Sequence, residues 1–169
     1  MPAKASTPSS PSARQSGKTA ERALNHQSYP DTYLRDILEG VRTIAVVGAS
    51  PRRDRPSHGV MAYLQRRGYR TIPVNPNAVG GIINSERCYA SLTEVPDPID
   101  MVDVFRRPEA AGGVVDEAIA VGTKVIWMQL GVRDDGAAAR AEAAGFKVVM
   151  NRCPAIEIPR LGLPPRLGG

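Results

Sequence analysis

Short apolar runs recur along the chain at residues 44–47, 69–74, 99–105, 124–130 and 146–150, each closed by glycine, asparagine or another polar break. Runs of this length, rich in valine and isoleucine, read as strands buried on both faces of a parallel sheet. Between them the spacing changes. Tyr33, Leu34, Ile37 and Leu38 fall at i, i+1, i+4 and i+5 after Asp31, a candidate cap, and before Gly40; this predicts a short helix. Residues 57–67 predict another, with Ser57 as N-cap, Val60, Met61 and Leu64 facing inward, and Gly68 as its stop. Pro108 at the first helical position and Glu109 beside it open a third, ending at Gly122, with Ala111, Val114, Val115 and Ala118 on one face. Its Gly112-Gly113 pair costs about 1 kcal/mol per residue relative to alanine. Asp134 or Asp135 caps an alanine-rich helix closed by Gly145, and a last short helix covers 155–161.

Strands and helices thus alternate five times, with a looped excursion at 78–89 and a turn at 91–98. The pattern predicts an α/β fold: a Rossmann-like doubly wound parallel sheet of about five strands in three α/β/α layers. Such sheets bind ligands beyond the C-terminal ends of their strands. Asp100 and Asp103 interrupt the third strand, where aspartate is a poor β-former. No partner for acid–base work lies near them in sequence, so they are expected at strand edges or bonded to neighbouring backbone.

Composition adds boundaries. Residues 1–28 are rich in Ser, Pro, Ala and Lys and nearly lack bulky apolar side chains; this predicts a disordered tail. A single domain follows over 29–162, with a short Pro/Gly tail at 163–169. The net charge is +5, but residues 1–28 carry +3 and 152–169 carry +2, leaving 29–151 neutral with 15 basic and 15 acidic side chains. A nucleic-acid surface needs basic charge on the folded part, so nucleic acid is not an expected partner. No apolar stretch reaches the roughly 18 residues of a membrane span, and the N-terminus has no apolar signal core. Cys88 and Cys153 fit no metal or redox spacing. A cytoplasmic protein is expected, with a protein partner or a homo-oligomer left open.

The chemistry concentrates at 44–59, IAVVGASPRRDRPSHG. A strand stops at Gly48, and an arginine-bearing loop leads into Ser57-His58-Gly59 at a helix start. Helix N-termini carry unpaired N–H groups and partial positive charge, and guanidinium forks suit phosphate oxygens. A nicotinamide site would show G-x-G-x-x-G and an acidic residue ending the second strand. Here Ser50 and Arg53 stand at the later glycine positions, and Asn75 stands at the strand end. Both halves of that fingerprint fail. Coenzyme A, with a diphosphate and a 3′-phosphate, suits the longer basic loop better.

Six ordered segments carry a resemblance: V-V-G-A-S at 46–50, P-S-H-G at 56–59, G-Y-R-T-I-P-V-N-P at 68–76, D-M-V-D-V-F-R at 100–106, W-M-Q-L-G at 127–131 and N-R-C-P at 151–154. Over about 34–161 the chain resembles the single-domain bacterial CoA-binding proteins, which are similar to the N-terminal domain of the succinyl-CoA synthetase α-subunit. Asn151 departs from the pattern, where an aspartate is expected. The resemblance implies coenzyme A or an acyl-CoA as ligand. It implies backbone contacts to the diphosphate from Gly48, Ala49 and Ser50, a helix N-terminus at Ser57, His58 and Gly59, and phosphate neutralisation by Arg52 or Arg55. It further implies that Asn75 and Pro76 border the adenosine, that Phe105 and Arg106 line the pantetheine path, and that Gln129 and Gly131 close the far side. In the synthetase, catalysis uses a phosphorylated histidine of a further domain and a partner subunit. This sequence has His26 and His58 only. The implied activity is therefore binding without self-sufficient catalysis. The alternatives are a nicotinamide-dependent oxidoreductase or an acyl-CoA ligase subunit that needs a partner chain; a nucleic-acid module acting through the basic tails is weaker.

Overall fold

A computed structural model describes residues 24–166. The tail expected over 1–28 falls mostly outside the described residues. The described residues up to Pro30 belong to a separate unit. In it, the Gln27 N–H donates to Asn25 Oδ1 at 2.8 Å, and His26 Nδ1 lies 2.7 Å from the Tyr29 hydroxyl.

The second unit begins at Asp31. Its elements are α1 (Asp31–Gly40), β1 (Thr43–Val47), α2 (Pro56–Arg66), β2 (Arg70–Val74), β3 (Ile82–Ile83), β4 (Glu86–Arg87), β5 (Met101–Val104), α3 (Pro108–Val121), β6 (Val125–Met128), α4 (Asp135–Ala143), β7 (Lys147–Val149) and α5 (Pro154–Arg160). Five strands form one parallel sheet in the order β2-β1-β5-β6-β7. This is the doubly wound arrangement the sequence predicts. Its strand order reverses between β1 and β5, so the crevice for a ligand lies beyond those two strands.

Side chains alternate across each strand. One face carries Ala45, Val47, Val102, Val104, Ile126 and Met128 against Ala111, Val115 and Ala118 of α3 and Ala137, Ala138 and Ala141 of α4. On the opposite face, Ile44, Val46, Met101 and Trp127 are fully buried on the side of α1, α2 and α5. Small residues on α3 and α4 let those helices lie close to the sheet. Gly122, in the left-handed region at φ 81°, ends α3 as expected. Asp134, not Asp135, caps α4, its Oδ1 accepting from the Ala137 N–H at 3.0 Å. The Tyr33 hydroxyl donates to Val148 O at 2.9 Å and accepts from the Val148 N–H at 3.0 Å. It thereby occupies backbone groups on the edge strand β7.

Three expectations are refined or corrected. First, the excursion expected between the second and third strands is not all loop: β2 reaches β5 through 3₁₀ turns at Pro76–Ala78 and Leu92–Glu94 and the β3–β4 hairpin. No apolar face of helical period exists there to build an α-helix. Second, Ser57 is not the N-cap of α2. Pro56 takes the first position and Arg55 the cap, without a side-chain cap bond, because proline's fixed φ and missing N–H suit that place. Third, the two aspartates differ. Asp100 behaves as expected, its Oδ2 accepting from the Arg42 and Thr43 N–H groups at 2.9 and 3.0 Å. Asp103 is fully buried in the middle of β5, paired in register with Val46 and Trp127, and neither oxygen has a partner.

Burial holds the Asp103 carboxyl well above its usual value, because charge is disfavoured away from water. The unfolded chain ionises this group from about pH 4 upward, whereas the folded chain keeps its proton. Stability from the proton is therefore present below pH 4 and is lost as pH rises through the folded-state value. Asp103→Asn removes this dependence. Urea melts at a series of pH values are expected to show the variant gaining on the wild type from about pH 4 upward. A gap that stays flat from pH 4 to pH 8 contradicts the buried neutral acid.

Candidate functional site

The switch point is built on one close approach. Gly48 ends β1 at φ 92°, and its N–H donates to Val74 O at 2.8 Å while the Phe105 N–H donates to Val47 O at 2.8 Å. A Cβ on residue 48 would lie 2.1 Å from Phe105 O and 3.0 Å from Arg106 Cδ. The ends of β1 and β5 are thus in contact through backbone, and the aliphatic stem of Arg106 lies over Gly48. Only glycine meets both demands.

From here the chain folds back on itself. The Arg52 N–H donates to Ser50 Oγ at 3.1 Å, and the Arg55 N–H donates to Arg52 O at 3.2 Å. The Ser50 N–H donates to Ser57 Oγ at 3.1 Å, which ties the loop to the first turn of α2 and explains why Ser57 is buried. A cavity of about 330 Å³ opens beside the loop, lined by Gly48, Ser50, Arg52, Arg55, Pro56, Ser57 and Phe105. Arg52 leans on Asp54 at 2.9 Å in an exposed pair. The N-terminal end of α2 contributes further positive potential.

The remaining candidates lie outside that lining. Ala49 is buried, and its carbonyl accepts from Asn75 Nδ2 at 2.8 Å. Asn75 Oδ1 takes the Asn77 N–H at 2.9 Å, so this side chain braces the loop against the end of β2. Pro76 is exposed at the start of the following 3₁₀ turn. His58 and Gly59 lie in the first turn of α2, and the His58 carbonyl accepts from Asn84 Nδ2 at 3.1 Å. Gln129 is buried one strand beyond Phe105, its N–H donating to Val104 O at 3.2 Å. Gly131 stands at φ 81°, its N–H donating to Asn151 Oδ1 at 2.7 Å. Asn151, where an aspartate was expected, is itself at φ 59°. It joins the ends of β6 and β7, a task in which either side chain supplies the acceptor oxygen.

Three contributors escape the sequence reading. Pro56 lines the cavity, and its position before an apolar helical pattern was the signal for it. Asn84 sits at the tip of the β3–β4 hairpin with Ser85, both at positive φ. It grips α2 twice, through the His58 carbonyl and through Gln65 Nε2, which donates to Asn84 O at 2.8 Å. An Asn-Ser turn between two-residue strands leaves little trace in sequence. Cys88, on the strand side of the same excursion, places Sγ 3.6 Å from Asn75 O, and burial pushes its thiol pKa up.

The cavity joins two arginines, a glycine-dictated backbone approach and a helix N-terminus, and among the described residues its lining holds no carboxylate, imidazole or thiol. That arrangement suits a phosphorylated ligand. Among the described residues no group of three or more His, Cys, Asp and Glu is placed to hold a metal, and no helix is long and apolar enough to cross a membrane.

Residues 42–159 match the model of a CoA binding domain. The chain is 38% identical over 120 residues to an uncharacterized protein, YneT, of Bacillus subtilis, covering 71% of this chain and 87% of that one. It is 31% identical over 106 residues to acetate–CoA ligase [ADP-forming] II of Archaeoglobus fulgidus, 62% of this chain but 15% of that enzyme. Among solved structures, a hypothetical protein from Pyrococcus horikoshii aligns with a TM-score of 0.76 and 38% identity, covering 79% of this chain and 93% of that one.

Proposed function

The chain belongs to the CoA-binding domain family, and on that premise we propose that it binds coenzyme A or an acyl-CoA at the β1/β5 crevice without catalysing a reaction by itself. The observation that carries this reading is the cavity where Gly48 meets Phe105, flanked by Arg52, Arg55 and the start of α2. A diphosphate there faces two guanidinium groups and a helix N-terminus, and it competes with Ser57 Oγ for the Ser50 N–H. The Ser50 N–H favours a charged phosphate oxygen over a neutral hydroxyl as its acceptor. Asn75 and Pro76, beside the loop, border the adenosine. Phe105 and Arg106 line the path of the pantetheine arm, and Gln129 and Gly131 close the far side.

Among the described residues of the lining no general base stands ready to activate the Ser50 or Ser57 hydroxyl, which supports a carrier or sensor over an enzyme. The nicotinamide alternative is disfavoured by Asn75, whose amide is already spent on Ala49 O and the Asn77 N–H, and which offers a ribose no carboxylate. A role as one part of an acyl-CoA ligase rests on the likeness to the Archaeoglobus enzyme and would require a partner chain.

Calorimetric titration with CoA, dephospho-CoA and NAD decides among these. Tight CoA binding is expected, weakened at least tenfold for dephospho-CoA, which lacks one charge-assisted contact worth about 1.5–3 kcal/mol. NAD binding without CoA binding overturns the reading.

A further inference from the structure

Among the described residues, six buried side-chain nitrogen and oxygen atoms have no hydrogen-bond partner. Half of them belong to two residues at adjacent strands: both oxygens of Asp103 and Oε1 of Gln129. Asp103 pairs with Trp127 across β5 and β6, and Gln129 lies two residues beyond Trp127, so alternation puts the two side chains on the same face in successive layers. Above Asp103 on its own strand stand Phe105 and then the cavity. Three acceptors without a donor are a costly cluster in the interior of a protein. A carboxyl that keeps its proton supplies the missing donor. The other end of the Gln129 amide differs: Nε2 is not among the buried atoms left without a partner.

We propose that Asp103 is a positioning residue, whose carboxyl O–H donates to Gln129 Oε1 and so turns Gln129 Nε2 toward the strand-end crevice, where it donates to an amide carbonyl of the ligand's uncharged arm. The inference rests on the CoA reading for the identity of that arm. It assigns the buried acid a purpose: the acid sets which end of Gln129 the ligand meets. An unoriented amide would present oxygen and nitrogen alike, and a carbonyl facing the oxygen loses its hydrogen bond. The phosphate-binding loop then reads charge, and the Asp103–Gln129 pair reads the arm.

The test compares CoA with adenosine 3′,5′-bisphosphate, which keeps the ribose phosphates and lacks the arm. Gln129→Met and Asp103→Val are each expected to weaken CoA binding about tenfold, the worth of one hydrogen bond, and to leave the bisphosphate within about twofold. Asp103→Asn supplies an N–H in place of the O–H and is expected to retain CoA binding. Unchanged CoA affinity in Gln129→Met, or equal losses for both ligands, overturns the proposal. A measurement that needs no ligand accompanies it: the ¹³C shift of the Asp103 carboxyl is expected to move in Gln129→Met, and a shift that stays put shows that the pair is not bonded. This arm stands even where Asp103→Val fails to fold. If the wild type binds no CoA while the carboxyl shift moves, the ligand reading falls and the pairing survives.

Discussion

Gly48→Val is expected to destabilise the protein by about 3 kcal/mol and to abolish CoA binding, because residue 48 combines a left-handed backbone with a backbone contact. A non-glycine residue at such a φ costs roughly 1–3 kcal/mol, and forcing atoms into a packed position adds about 1–3 kcal/mol. The contact is severe: the added Cβ would lie 2.1 Å from the Phe105 carbonyl, which is held by β5 and cannot swing aside as a side chain would. Relief requires β1 and β5 to part at the switch point, where the ligand sits. Gly131→Ala is the matched control. Gly131 is also left-handed, at φ 81°, but its Cβ would meet nothing within 4 Å, so only the conformational cost, about 1–2 kcal/mol, is expected. Urea denaturation of both variants measures the difference. If Gly48→Val costs no more than Gly131→Ala, the close approach is not what selects glycine.

The second large effect falls on the loop arginines. Arg55→Glu is expected to weaken CoA binding roughly 100-fold at low salt, since it removes a charge-assisted contact and places a carboxylate against phosphate. Arg52→Glu is expected to cost less. The Arg52 guanidinium shares its charge with Asp54, whereas Arg55 lines the same cavity with no carboxylate partner among the described residues. Both losses should shrink as ionic strength rises, because the site is open to solvent and salt screens it. Titrations at 50 and 300 mM salt check this. Equal CoA affinity in wild type and Arg55→Glu would remove the phosphate from this loop.

Much of the molecule was legible before folding because the signals are local. The apolar run of β1 stops at Gly48, Pro108 opens α3, Asp134 stands where a cap is needed, and Gly122 and Gly40 close helices. Each depends on neighbours within a few residues, so each can be read in order. The strand ends could be named for the same reason, together with the ligand chemistry that the doubly wound pattern attaches to them.

Other features arise only when distant segments meet. The pairing of β5 with β1 spans more than fifty residues, and it alone puts the Phe105 carbonyl against Gly48. Ser57 looked like a helix cap and became the acceptor for the Ser50 N–H, because Pro56 had already taken the helix start. The hairpin carrying Asn84 is too short to have a periodicity, yet it clasps α2. Asp103 is the sharpest case. Its identity suggests an exposed edge, but the register of three central strands buries it, and burial removes its charge. Which elements form, in what order, and where each stops follow from short stretches of chain, since backbone propensity and hydrophobic period depend on near neighbours. Which strand ends become adjacent and which polar groups lose water follow from the fold, because solvent exclusion and backbone contact belong to the assembled sheet.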